Sequence, residues 1–205
     1  MVAIEVDTVL VHYLRHKFSA EIAGGKLEIV EGDILQVDVA TLGVNPVIAG
    51  NLPYYITSPI LEKTFSLGTN WTRAVFLVQA EVAARITASP GTRDFGYLSV
   101  LAQAQSRAEL MFPVSRTAFH PPPNVDSAVV RLTPRDGASE LGVPDLPPFL
   151  KFAQHCFRQK RKTLRNNLAP VYGDEKILSL PEARLRAEQL GVQELAALYR
   201  KVCGA

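Results

Sequence analysis

Asn51-Leu52-Pro53-Tyr54 stand between an apolar run, NPVIAG (45–50), and a segment of helical pattern opening at Thr57. A strand-end turn uses Asn and Pro, but it has no need of two tyrosines at 54 and 55. The amide oxygen of Asn51 and the backbone carbonyl of Leu52 make a pair of neutral acceptors. Such a pair can hold both hydrogens of an exocyclic amino group. The nitrogen lone pair is then drawn out of conjugation and aimed at an electrophile. A methyl sulfonium is reactive enough that no base is required before the attack. An aromatic ring just downstream stacks on a nucleobase and keeps it out of its helix. Pro53 stiffens the turn and preorganises the acceptors. Read alone, "NxPY" is better taken as a strand-end turn with core tyrosines; what argues against that is its register with two acids.

Those acids come from the elements around it. VAIEV (2–6) reads as a buried parallel strand. Asp7 can cap a helix in which Leu10, Leu14 and Phe18 share a face, and Gly24-Gly25 stops that helix. KLEIVEGDIL (26–35), NPVIAGN (45–51) and RAVFLVQ (73–79) supply further strands, alternating with helices from Thr57 to Leu67, at AEVAARITA and through LSVLAQAQ. AELMFPVS and SAVVRLTPR form an antiparallel pair around the loop FHPPPNVD (119–126). This is an α/β, doubly wound pattern, and its ligands belong outside the carboxyl ends of the strands. Three strands end there on Glu5, Asp33 and Asn51. A carboxylate in the first place suits a ribose and one in the second an adenine amino group, although turn or capping use fits each acid taken singly.

After about Arg135 the texture changes. PRDGASELGVPDLPP reads as a linker, followed by helices over 147–168, 181–189 and 193–202. The expected domains are therefore 1–135 and an all-helical 136–205. RQKRKTLR (158–165) gathers Arg158, Lys160, Arg161, Lys162 and Arg165 on the first of these helices. In a chain of net charge +2 this is either a solvated face or a phosphate-facing one. The 205 residues suffice for one domain and a small appendage, with 47% hydrophobic and 20% charged residues. No apolar run approaches the ~18 residues of a membrane span, and no secretory leader pattern is present, which points to the cytoplasm. Cys156 and Cys203 fit no redox or metal motif and read as reduced and structural. His12, His16, His120 and His155 give no metal spacing, so no metal is expected.

VAIEVD, EGDIL, NLPYYITSPIL, FLVQAEVAARI, GYLSVLAQ, FHPPPNVDSAVVRL and FRQKRKTLRNNL follow one another along nearly the whole chain. In this order they resemble the ribosomal RNA adenine N6,N6-dimethyltransferases of the KsgA type, a Rossmann-like class I methyltransferase family that uses S-adenosyl-L-methionine. The resemblance implies that Glu5 holds the cofactor ribose, Asp33 its adenine amino group, and that Ile34 packs on the cofactor adenine. It implies that Asn51 and the Leu52 carbonyl accept from the target N6, that Tyr54 stacks on the target base, and that Phe119 closes its other face. It further implies methylation of two adjacent adenines of small-subunit rRNA, a pre-30S particle as partner, and a monomer. The related macrolide-resistance methylases of large-subunit rRNA share the N-[IL]-P-Y element but fit the proline-rich loop and the basic run less well. The family has Asn where Tyr55 stands.

One departure is larger. The family places a strand and a GxGxG loop before VAIEVD, and no GxGxG occurs in this sequence. Two strands next to the missing one are expected to lose their ladder partner or to pair with each other. A fragment or a form with a misassigned start is expected, with weak or no intrinsic cofactor affinity. An RNA-binding module without catalysis is the alternative that follows.

Overall fold

The computed structural model describes residues 1–204. Its first unit is β1 (Val2–Glu5), α1 (Thr8–Lys17), α2 (Ser19–Ala23) and β2 (Glu28–Glu31). Helix α1 opens on Asp7, whose Oδ1 accepts from the Val9 and Leu10 amides at 2.8 and 3.2 Å. The residue it buries is Val11, fully enclosed, whereas Leu10 of the expected apolar face stays 47% exposed. Strands β1 and β2 pair in parallel, Glu5 opposite Glu31.

The second sheet has the order β3-β4-β6-β5, from β3 (Val47–Asn51), β4 (Arg73–Gln79), β5 (Ser106–Val114) and β6 (Ser127–Pro134). Strands β3 and β4 are parallel, with Asn51 opposite Leu77, and β4–β6 and β6–β5 are antiparallel. Strand β4 alternates buried and half-buried positions because both of its faces are covered. Among the described residues there is no ladder between the two sheets: β1 pairs only with β2 and β3 only with β4. Of the two outcomes expected for these strands, the lost partner is the one observed. Each keeps a row of backbone groups without a strand opposite.

Helices α3 (Thr57–Phe65), α4 (Ala80–Ile86) and α5 (Tyr97–Gln105) flank the larger sheet. Ile60, Leu61, Phe65 and Trp71 pack there on Phe76, Val78, Val130 and Leu132. A separate core gathers Phe149, Phe152, Leu164, Leu168, Leu195 and Leu198, and it also takes in Phe95, Val100 and Ala104. Helix α5 thus serves both cores.

The helical region differs from its sequence reading in three places. The expected linker contains α6 (Gly137–Leu141), capped by Asp136 Oδ1 on the Ser139 amide and ended by Gly142 in the left-handed region, φ 61°. Gly137 lies so close to α5 that a Cβ would stand 1.8 Å from the Ala104 carbonyl oxygen. The helix expected over 147–168 is broken into α7 (Leu146–Cys156) and α8 (Leu164–Tyr172). The helix expected over 181–189 is two 3-10 turns, Pro181–Arg184 and Ala187–Gln189, preceded by α9 (Asp174–Leu178) and followed by α10 (Val192–Cys203). No helix among the described residues is long and apolar enough to cross a membrane.

Candidate active site

Asn51 is the last residue of β3, exposed, and its side-chain amide makes no hydrogen bond to any described residue. The backbone beside it is fixed, since the Leu52 amide donates to the Leu77 carbonyl at 3.0 Å. The Leu52 side chain is buried and only 3.0 Å from where a Cβ on Gly50 would lie. Gly50 therefore permits Leu52 to fold back into the core, which leaves the Asn51 amide and the Leu52 carbonyl at the sheet end. The Thr57 hydroxyl donates to the Pro53 carbonyl at 3.3 Å, closing the turn between them.

Tyr54 begins a 3-10 turn, Tyr54–Ile56; the residue is 38% exposed and its hydroxyl lies 3.2 Å from Ser127 Oγ. Ser127 is buried at the start of β6 and went unnoticed in the sequence. Strand β6 begins where β3 and β4 end, because Gln79 faces Ser127. The tether therefore fixes a ring over the same edge as Asn51. Tyr55, by contrast, is 85% exposed.

Phe119 follows the 3-10 turn Arg116–Ala118 and is half-buried. Its loop is laced at this sheet end. Asp126 Oδ1 accepts from the Arg116 amide at 2.9 Å, and the Asp126 carbonyl accepts from the Ala80 amide at 3.0 Å. The Tyr54 and Phe119 rings make no stacking or edge contact with each other among the described residues.

Glu5 ends β1, whereas β2 stops at Glu31 and leaves Asp33 in the turn two residues beyond it, not at a strand end as expected. Glu5 Oε1 accepts from the Val6 and Asp7 amides at 2.8 and 2.9 Å, so one oxygen caps its own strand end. Asp33 Oδ1 accepts from the Leu35 amide at 2.9 Å in an Asx turn. Capping, the plain alternative, is thus real for both, yet each keeps a second oxygen free. The Gly32 amide donates to the Glu5 carbonyl at 2.9 Å, which binds the two acid-bearing segments together. Ile34 is half-buried and packs against the core of the larger sheet. Lys63 of α3, unremarked in the sequence, donates to the Leu35 carbonyl at 3.0 Å and moors this turn to the rest.

With this arrangement in view, the family comparison is decisive: the profile of a family described as ribosomal RNA adenine dimethylase matches residues 1–197. The chain belongs to that family. Among curated relatives, the ribosomal RNA small subunit methyltransferase A of Acidobacterium capsulatum is 42% identical, over 98% of this chain and 72% of its own length. The protein of that name from Chlorobium luteolum is 37% identical, over 97% and 70%. Two solved structures share the fold at 22% identity. A dimethyladenosine transferase from Plasmodium falciparum superposes with a TM-score of 0.79, over 98% of this chain and 82% of that one. The 23S rRNA methyltransferase ErmE superposes with 0.70, over 98% and 81%.

In this dimethylase-family chain the basic run is not helical. Arg158 to Lys162 form the connection between α7 and α8, all exposed, with only Arg165 on a helix. The break has a visible cause. Asn167 is buried and its Nδ2 donates to the Cys156 and Gln159 carbonyls at 2.8 and 3.2 Å, while its Oδ1 accepts from the Gln159 amide at 3.2 Å. Those groups would otherwise continue the helix. Arg165 is engaged with Asp174 at 3.2 Å. A polar residue one turn after Leu164 and next to Leu168, on an otherwise apolar face, was the available signal for Asn167.

Fit to S-adenosyl-L-methionine is uneven. The two free carboxylate oxygens on one sheet end suit its nucleoside half. No glycine-rich turn stands among residues 1–204 to receive its methionine half.

Proposed function

We propose that this chain carries the adenine-methylating and RNA-binding parts of an rRNA adenine N6,N6-dimethyltransferase acting on small-subunit rRNA. The observation that carries the proposal is the unbonded Asn51 amide beside the Leu52 carbonyl, under a tyrosine tethered from β6. In this reading Asn51 and Leu52 accept both hydrogens of the target N6, and Tyr54 and Phe119 take the two faces of the extruded base. Glu5 and Asp33 receive the ribose and adenine amino group of S-adenosyl-L-methionine, with Ile34 against its adenine. That cofactor, when bound, supplies the methyl electrophile. Asn51 holds the amine and orients its lone pair, and the displaced proton leaves to water at this exposed edge. Residues 1–135 carry the transfer site, and 136–205 carry RNA contacts through Arg158, Lys160, Arg161 and Lys162. The partner is an assembling small subunit, which the chain meets as a monomer.

The names of the curated relatives support the small subunit over the large-subunit alternative. The test is methyl transfer from S-adenosyl-L-methionine to unmethylated small-subunit particles, alongside RNA affinity. Asn51→Ala is expected to lower transfer at least 100-fold, on the scale of a lost preorganised donor or acceptor, roughly 3 kcal/mol, with RNA affinity within about twofold. Equal loss of both would refute the acceptor role. Unaltered chain that binds RNA but transfers nothing would favour the binding-module reading, which the two uncovered strand edges support.

A further inference from the structure

Tyr55 stands beside the transfer site and takes no part in what Tyr54 does there. At 85% it is the most exposed Phe, Tyr or Trp among the described residues; the next, Tyr13, is 55% exposed. Its ring meets no other aromatic ring and no cation among those residues. Single exposed rings are common on protein surfaces, so exposure alone decides nothing. What decides is where this ring stands and how rigidly it is carried.

Its direction follows from the turn. A 3-10 turn has three residues to the round, so Tyr54, Tyr55 and Ile56 leave it about 120° apart. Tyr54 reaches Ser127 on β6, and Ile56 packs on the core of the larger sheet. Tyr55 takes the remaining direction, into solvent. The backbone beneath it is held on both sides. The Leu52 amide donates to the Leu77 carbonyl at 3.0 Å, and the Ile56 amide donates to the Pro53 carbonyl at 3.1 Å. A ring on so fixed a base gives up little backbone freedom when something binds to it. Asn51, Pro53, Ser58 and Pro59 are exposed around it, whereas Leu52 and Ile60 are buried. Tyr55 is thus a flat face set among polar and proline residues, which suits one planar ring better than an apolar protein surface.

We propose that Tyr55 is a second stacking residue, which takes the base next to the extruded adenine. The inference rests on the adenine-methylating reading above and adds the neighbour of the target to what the site recognises. Consecutive nucleotides of an opened RNA loop present successive flat faces, and aromatic side chains take them one by one. With one base in the Asn51 slot and the next on Tyr55, both are out of their helix together. Of two adjacent adenines, the second is then already unstacked when the first is finished.

The experiment is a double-mutant cycle between Tyr55 and that base. The RNA is a small-subunit rRNA hairpin with two adjacent unmethylated adenines, offered intact and with an abasic site at one or the other. In either abasic RNA the remaining adenine is the one with an amine for Asn51. Tyr55→Ala is expected to bind the intact hairpin about tenfold more weakly, and Tyr55→Phe to stay within about twofold of the unaltered chain, as for one base on an aromatic ring. On one of the two abasic hairpins Tyr55→Ala is expected to cost no more than about twofold. Which hairpin that is fixes the side of the slot on which the neighbour lies. Unchanged affinity of Tyr55→Ala for the intact hairpin overturns the proposal. So does an equal loss on all three RNAs, which would assign the ring to another contact. Tyr54→Ala tests the underlying reading separately. If it too leaves the intact hairpin's affinity unchanged, or if the unaltered chain does not bind that hairpin, the extruded-base reading fails and this proposal with it.

Discussion

At the scale of single residues the site divides into what adjacent chemistry announces and what only folding brings together. Asn51, Leu52, Pro53 and Tyr54 are contiguous, so their joint chemistry can be read from the chain. Ser127 is 73 positions from Tyr54, and nothing local marks it as the partner of a phenol. If that contact sets the ring, Ser127→Ala should weaken quenching of 2-aminopurine placed at the target adenine about fivefold, as expected for one hydrogen bond of ~1 kcal/mol. Ser127→Thr should restore it. Unchanged quenching in the alanine variant would reduce Ser127 to a packing residue. Glu5 carries a second lesson: its carboxylate is half consumed by its own strand end, so a cap and a ligand site are not exclusive readings of one acid.

At the scale of elements, strand positions were legible because alternation and apolar runs report burial directly. Helix ends in the C-terminal region were not, because hydrogen bonds between distant residues decide them. RQKRKT has helical propensity, but Asn167 claims the carbonyls of Cys156 and Gln159. Asn167→Ala leaves those groups and the Gln159 amide without their partner and should cost about 2–4 kcal/mol in urea unfolding. The expected linker failed as a reading for a different reason. Its glycine is there for contact and not for looseness, since any Cβ at 137 runs into the backbone of α5. Gly137→Ala should destabilise by about 3 kcal/mol or more, or leave the chain insoluble. A loss below about 1 kcal/mol would show that α6 can shift freely.

At the scale of the whole molecule the α/β order was legible, and so was the break in it, because the sequence offers no strand to stand between β1 and β3. The larger sheet has neighbours on both sides of β4, while the small one has two strands and a single mostly exposed helix pair. Hydrogen exchange should therefore be at least tenfold slower for Val75–Val78 and Val129–Leu132 than for Ala3–Glu5. Equal protection would mean that the small sheet is stabilised by something other than its ladder. Acid sensitivity belongs at this scale too. Lys201 lies 2.6 Å from Glu182 and, by hydrogen bonding, holds its carboxyl below the ordinary value of 4.5. A depressed folded value means that this contribution is complete above about pH 4.5 and is lost as pH falls through the folded value. Lys201→Met should flatten the stability profile between about pH 3 and 5.

The mooring of the 33–37 turn by Lys63 has a mechanical meaning. The segment that carries Asp33 and the sheet that carries Asn51 are held in place by a side chain resting on a carbonyl, beside the packing of Ile34 and Leu35 on the larger core, much as the jaws of a caliper are set by a screw. Length at position 63 is then an adjustable spacing: Lys63→Arg should widen the span and Lys63→Met should let it drift, with Asn51 itself left untouched.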